Sequence, residues 1–161
     1  MKVLMVRNAD TSNYGGAETF VYEIAFAAQK QGVDVVVASA LPRLREKLAG
    51  QVPTISAPWM AWTKLHGKHT LLLPLHALWL LRLVVWHLMA IAKHKPDVIH
   101  LMNRDDFIAG TIAGKLTRTA VLWTDHADLK HELKGVKQFR NLLGKKVLFW
   151  AKRVPVITVV S

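Results

Sequence analysis

Apolar runs recur along this chain, with stretches of helical periodicity between them. The first, KVLMV (2–6), is continuous; beyond it Phe20, Val21, Ile24, Ala27 and Ala28 recur at helical spacing and predict a helix from about Ala17 to Gln31. Glu18 and Glu23 lie towards the start of that helix and Lys30 near its end, matching the helix dipole, with Gly32 as a C-cap. VDVVVAS (33–39) reads as a strand, PRLREKLAG (42–50) as a short helix and VPTIS (52–56) as a third strand. A long apolar helix is expected over 74–94, a strand over 97–102, a helix over 105–116 and a strand over 119–124. A basic helix (136–152) and a last strand, VPVITVVS (154–161), complete the pattern, with no internal repeat.

Short, continuously apolar strands alternating with helices predict an α/β fold: a Rossmann-like domain with a parallel sheet flanked by helices. Ligands of such folds sit beyond the carboxyl ends of the strands, near a topological switch point. Loops 7–16, 40–42, 56–70, 103–104 and 125–134 therefore fall on the functional edge. The 161 residues fit one domain, and 52% hydrophobic with 20% charged residues excludes a disordered chain. The absence of cysteine excludes disulfides and thiolate metal sites. Arg7, Asn8 and Asp10 break the first apolar run too early for a signal peptide.

Two adjacent glycines, Gly15 and Gly16, stand between the first strand and the first helix. Glycine there lets the backbone approach a ligand and take positive φ, and the N–H groups of the helix start offer an anion site. A plain tight turn explains the pair equally well. The dinucleotide fingerprint and the P-loop are absent; GTIAGKL (110–116) is one residue too short for the latter and lies mid-helix. Asp125 and His126 follow a strand at the functional edge, where a histidine can bind a sugar hydroxyl or stabilise a charged transition state. His100 lies inside a strand and reads as a satisfied core residue. There is no H-E-x-x-H, and His126 and His131, five apart, make no convincing metal pair, so no metal is expected.

Charge adds a further expectation. A formal net charge of +11 suggests a polyanionic partner, and seven basic residues without an acidic one fall between Lys134 and Arg153. The segment 74–94 is long enough to cross a bilayer, but Arg82 near its centre costs about 3 kcal/mol there, and the strands on either side must share one sheet. A helical wheel puts Ala77, Leu78, Leu80, Leu81, Val84, Val85, Leu88, Met89 and Ile91 on a core face. The opposite face collects Trp79, Arg82, Trp86, Lys93, His76, His87 and His94, with Leu75, Leu83 and Ala90 among them, and has the character of an interfacial membrane face. With Trp59, Trp62, Lys137, Arg140, Lys145 and Lys146 it forms the expected contact with an anionic membrane surface. Packing of the tryptophans against another domain is the competing explanation. No recognisable reading motif accompanies the cations, so nucleic acid is not expected as a partner.

MKVLMV, YGGAETFVYEIAFAAQKQGVDVVVAS, KPDVIHLMN (95–103), AVLWTDH (120–126) and VPVITVVS follow one another in an order that resembles the N-terminal domain of retaining GT-B glycosyltransferases of the family-4 type. The resemblance spans nearly the whole chain, loosely between 40 and 95. It implies that residues 1–161 are the acceptor-side half of a GT-B fold. It also implies that Gly15 and Gly16 face the donor diphosphate and that His126 contacts the donor sugar at the reaction centre. Asn103 and Asp125 become candidate sugar or acceptor contacts. Met102 and Ala127 depart from the family's pattern, which bears on the sugar and acceptor rather than on the fold.

The family's second domain carries two glutamates separated by seven residues, and Glu18, Glu23, Glu46 and Glu132 contain no such pair. The nucleotide-binding domain is therefore expected outside this chain, as a missing C-terminal domain or a partner chain. The implied function is retaining transfer of a sugar from a nucleotide-diphospho-sugar to a glycan or lipid-linked acceptor of the cell envelope. No cofactor is expected besides the donor, and the chain by itself is expected to be inactive. The expected location is cytoplasmic, peripheral on the inner face of the membrane. The alternative is a noncatalytic membrane-docking subunit that recruits a separate nucleotide-binding chain.

Overall fold

The computed structural model describes residues 1–8, 15–58, 73–125, 149 and 156–159. In chain order they form β1 (Lys2–Arg7), α1 (Gly16–Lys30), β2 (Asp34–Ser39), α2 (Pro42–Leu48), β3 (Thr54–Ser56), α3 (Leu73–His94), β4 (Val98–Leu101), α4 (Arg104–Thr117), β5 (Ala120–Asp125) and β6 (Val156–Val159). The strands make one six-stranded sheet in the order β3-β2-β1-β4-β5-β6. Every pairing is parallel; β1 lies between β2 and β4, with Met5 opposite Val37 and His100. The predicted Rossmann-like α/β architecture is therefore present. The basic helix expected over 136–152 lies, except for Phe149, outside the described residues.

Successive side chains of a strand face opposite sides, and both sides are covered here, which is why the strands read as unbroken apolar runs. Val3, Met5, Val35 and Val37 pack with Val21 and Ala25 of α1 and Leu44 and Leu48 of α2. Leu4, Val6, Val36, Ile99, Leu101 and Trp123 pack on the other side with Ala90 and Ile91 of α3 and Phe107 and Ala113 of α4. Gly32 closes α1 with φ 81°, and the Val33 N–H returns to the Ala28 carbonyl at 3.0 Å. The glycines of the GTIAGKL stretch serve close packing: a Cβ on Gly110 would lie 2.6 Å from Leu101 Cδ1, and one on Gly114 would overlap the Val121 side chain.

The orientation of α3 departs from the helical wheel. Leu83, Val84, His87, Ala90 and Ile91 are buried, whereas Leu78, Leu81, Val85 and Met89, expected in the core, are exposed. Trp79 and Trp86 are half-buried, and Trp86 packs against the core. A helix apolar on all sides has no strong polarity difference to aim it, so the fit against the sheet and α4 decided the rotation. His87 is tolerated inside because its Nδ1–H donates to the Leu83 carbonyl one turn back, at 2.8 Å. The strands before and after α3 share one sheet, so the helix does not cross a membrane.

Candidate functional site

The sheet changes direction of growth at β1. From β1 the chain proceeds outward through β2 to β3, and then returns to the other side of β1 with β4. The crevice outside the carboxyl ends of β1 and β4 is the topological switch point where ligands of open α/β sheets bind. Gly15 and Gly16 follow β1, and Asn103 follows β4, so both flank this crevice.

The first turn of α1 is fastened to the sheet by one carboxylate. Glu18 Oε2 accepts the Gly15 N–H at 2.8 Å, and Oε1 accepts Arg7 Nη2 at 2.9 Å and Nε at 3.1 Å. Arg7 Nη1 donates in turn to the Met102 carbonyl at the end of β4, at 3.0 Å. The ion pair is nearly out of water, the two side chains being 14% and 4% exposed. Burial pushes the Glu18 carboxyl up, but the Gly15 N–H, the Arg7 charge and its hydrogen bond outweigh that, and the group sits below its ordinary range.

The glycines themselves are not where backbone strain is relieved. Gly15 is extended (φ −136°, ψ −162°) and Gly16 is helical, so the positive φ expected of them is absent; among the described glycines it occurs at Gly32 and Gly50. Among the described residues, packing requires neither to be small. A Cβ on Gly16 meets no described atom within 4 Å, and one on Gly15 meets only Glu18 Oε2, at an ordinary 3.6 Å. Because Glu18 holds the Gly15 N–H, the outward-facing anion-binding capacity of the helix start rests on Gly16 and Ala17, whose N–H groups have no acceptor within the helix.

Asn103 is the N-cap residue of α4, and its side chain makes no capping bond. Asp125 ends β5 and is 8% exposed. His100 is buried with Nε2 2.7 Å from Thr124 Oγ1, the satisfied core histidine expected. His126, Trp59, Trp62, Lys137, Arg140, Lys145 and Lys146 lie outside the described residues. Arg82 is exposed and its guanidinium stands over the Trp79 ring, 5.1 Å from the centroid. Among the described residues no cluster of three or more histidines and carboxylates could hold a metal ion.

A buried polar group beneath the edge escaped the sequence reading. Asn8 Nδ2 donates to Asp106 Oδ1 at 3.1 Å and to the Pro58 carbonyl at 3.2 Å, and His87 Nε2 lies 3.6 Å from the same Asp106 oxygen. Asn8, His87 and Asp106 are at most 1% exposed. Burial drives His87 down to about 4, against the raising effect of its bond to the Leu83 carbonyl. These contacts join the ends of β1 and β3 to α3 and to the first turn of α4. The signal in the sequence was a polar residue, Asn8, placed directly after an apolar strand.

The profile of Glycosyltransferase Family 4 matches residues 14–161. No curated relative matches the chain. Among solved structures, Anabaena Alr3699/HepE in complex with UDP and glucose is 19% identical, with a TM-score of 0.64 over 98% of this chain and 37% of that one. The Acinetobacter baumannii MurG structure is 17% identical, with a TM-score of 0.60 over 100% of this chain and 41% of its own. A glycosyltransferase from Rickettsia africae is 21% identical, with a TM-score of 0.56 over 76% of this chain and 29% of its own. The chain thus spans between 29% and 41% of the length of these structures, and the likeness is one of fold.

Proposed function

The chain belongs to Glycosyltransferase Family 4, and from that premise we propose that it forms the acceptor-side half of an enzyme moving a sugar from a nucleotide-diphospho-sugar to a glycan or lipid-linked acceptor, with retention. The observation that carries the proposal is the position of Gly15–Gly16, at a helix N-terminus on the switch-point crevice, where neither positive φ nor packing against the described residues calls for glycine. A diphosphate close to that backbone gives the reason. The Anabaena structure bound to UDP and glucose supports this class of donor.

In this reading the Gly16 and Ala17 N–H groups and the α1 dipole stabilise the negative charge that grows on the departing diphosphate, with no metal required. The Arg7–Glu18 pair holds those groups in place, so little reorganisation is needed when charge develops. In the same reading Asn103 and Asp125 address sugar or acceptor hydroxyls from the ends of β4 and β5, and the family resemblance gives His126 the contact with the donor sugar. The nucleotide itself is held by a second domain or partner chain.

Turnover of nucleotide-sugars by the polypeptide carrying this domain together with its nucleotide-binding half, compared with its Gly16→Val variant, tests the proposal. A Cβ at Gly16 meets no described atom within 4 Å, so the variant is expected to keep its melting temperature and lose donor use. Undiminished turnover would reduce the glycine pair to an ordinary turn.

A further inference from the structure

The outward face of α3 carries an apolar stripe that the described residues leave exposed. Leu78, Leu81, Val85 and Met89 recur every three or four residues along one side and are 64%, 58%, 44% and 59% exposed. The stretch Ala77–His94 is apolar enough to cross a bilayer, yet only 28% of it is buried. A core helix of that hydropathy would be largely covered, and a spanning helix is excluded by the single sheet that holds β3 and β4. We propose that this stripe docks the domain on an anionic lipid bilayer, with α3 lying in the plane of the headgroups.

Charge favours an anionic bilayer over a second copy of this chain. No acidic residue occurs from Leu73 to His94, and the whole chain carries +11. Arg82 and Lys93 are exposed on the flank of the stripe, and Arg82 stacks over Trp79, a cation and an aromatic ring together at its margin. That combination of apolar stripe, flanking cations and a boundary tryptophan suits the headgroup region, where long basic side chains reach outward to phosphate. A second copy fits poorly. An isologous contact through this helix would bring the cations of both copies together, with no carboxylate on the helix to neutralise them.

Position gives the surface a use. α3 leads into β4, so it runs antiparallel to the strands, and its first half lies towards the carboxyl edge where Asn8, Gly15 and Asn103 stand. The stripe from Leu78 to Met89 extends about 16 Å along the helix axis from that side. Docking there brings the lipid surface to the flank of the crevice, which deepens the proposed transferase reading: the acceptor would be presented from the membrane. The contact thus moves from the tryptophan face to the leucine face, since Trp86 packs on the core and edge-on against His87 at 5.0 Å.

Co-sedimentation of the 161-residue chain with phosphatidylcholine vesicles, with and without phosphatidylglycerol, tests this. Binding is expected only to the phosphatidylglycerol vesicles, weakened but not abolished by high salt. The combined variant Leu78→Gln, Leu81→Gln, Val85→Gln and Met89→Gln should keep its melting temperature, because the four side chains are exposed, and should partition about tenfold or more less strongly. Arg82→Gln with Lys93→Gln should lose the preference for the anionic lipid. The proposal is overturned by equal binding to both vesicles, by no binding, or by unchanged binding of the fourfold variant. A wild-type dimer in ultracentrifugation that the fourfold variant abolishes would assign the stripe to a second copy instead. The vesicles contain neither donor nor acceptor, so failure here leaves the Gly16→Val test of the transferase reading intact.

Discussion

Glu18→Gln removes one charge from a pair that is almost entirely out of water. The carboxylate accepts the Gly15 N–H and two guanidinium N–H groups, with 14% and 4% of the Arg7 and Glu18 side chains exposed. Removing one member of a buried pair costs about 3–5 kcal/mol, because the other charge stays buried without compensation. Glutamine keeps one acceptor oxygen and so recovers about 1 kcal/mol. The expected loss is therefore about 2–4 kcal/mol at neutral pH, read by urea unfolding. Because the folded-state pKa of Glu18 lies below its unfolded value, the native state binds fewer protons than the unfolded state in the window beneath 4.5. The wild-type advantage is then fully present above 4.5 and shrinks as pH falls through the folded pKa. A difference under about 0.5 kcal/mol at pH 7, the range of ordinary surface changes, would refute the clamp. So would a gap that stays constant into the acid range.

His87 gives a second acid dependence of the same sign from opposite chemistry. Its folded pKa of about 4 lies below the unfolded 6.5, so stability is complete above 6.5 and should fall by about 2 kcal/mol by pH 5. Asp106, 3.6 Å from Nε2, favours the imidazolium and makes that figure a ceiling. His87→Leu should flatten the profile over this range, and parallel curves would show that His87 is not the titrating group. Gly114→Ala gains about 1 kcal/mol of helix propensity but drives a methyl into the β-branched Val121, within 3.1 Å of the Thr119 carbonyl. Overpacking of that kind costs about 1–3 kcal/mol, so a lower melting temperature is expected, and a raised one would show that α4 can move off the sheet.

The sheet was legible because a parallel strand covered on both sides must be apolar at every position, and KVLMV and VDVVVAS can hardly be anything else. The first helix was legible through its period, and the glycine pair through its place after β1. The rotation of α3 was not, since Leu, Val, Ile and Trp occur all around it and the wheel weighed polarity alone. That procedure put His87 outside, although a histidine can satisfy one nitrogen on its own helix, as the bond to Leu83 shows. Glu18 was read as a partner of the helix dipole, whereas its stronger partner is Arg7 across the loop. Its place three residues after an N-cap glycine is the capping-box spacing, and that was the available signal. Gly110 and Gly114 looked like a failed phosphate loop because spacing does not distinguish backbone that approaches a ligand from backbone that approaches a strand.

Two consecutive residues at the end of β1 bind in opposite directions. Arg7 ties the strand end to the first turn of α1 and to the end of β4, while Asn8 ties it to α4 and to the chain just past β3. Strand geometry makes this division natural, since neighbouring side chains leave the sheet on opposite faces and each finds the helix layer on its own side. The result is that the switch-point crevice has a floor braced from both layers by buried, charged or amide groups. Such groups are costly unless paired, so they also penalise any shift of α1 or α4 that would separate them. Under the proposed transferase reading, fixed N–H dipoles facing a developing negative charge need that rigidity more than additional stability. On this reasoning the polar side chains beneath the crevice, and not the glycines above it, set how accurately the Gly15–Gly16 backbone is presented.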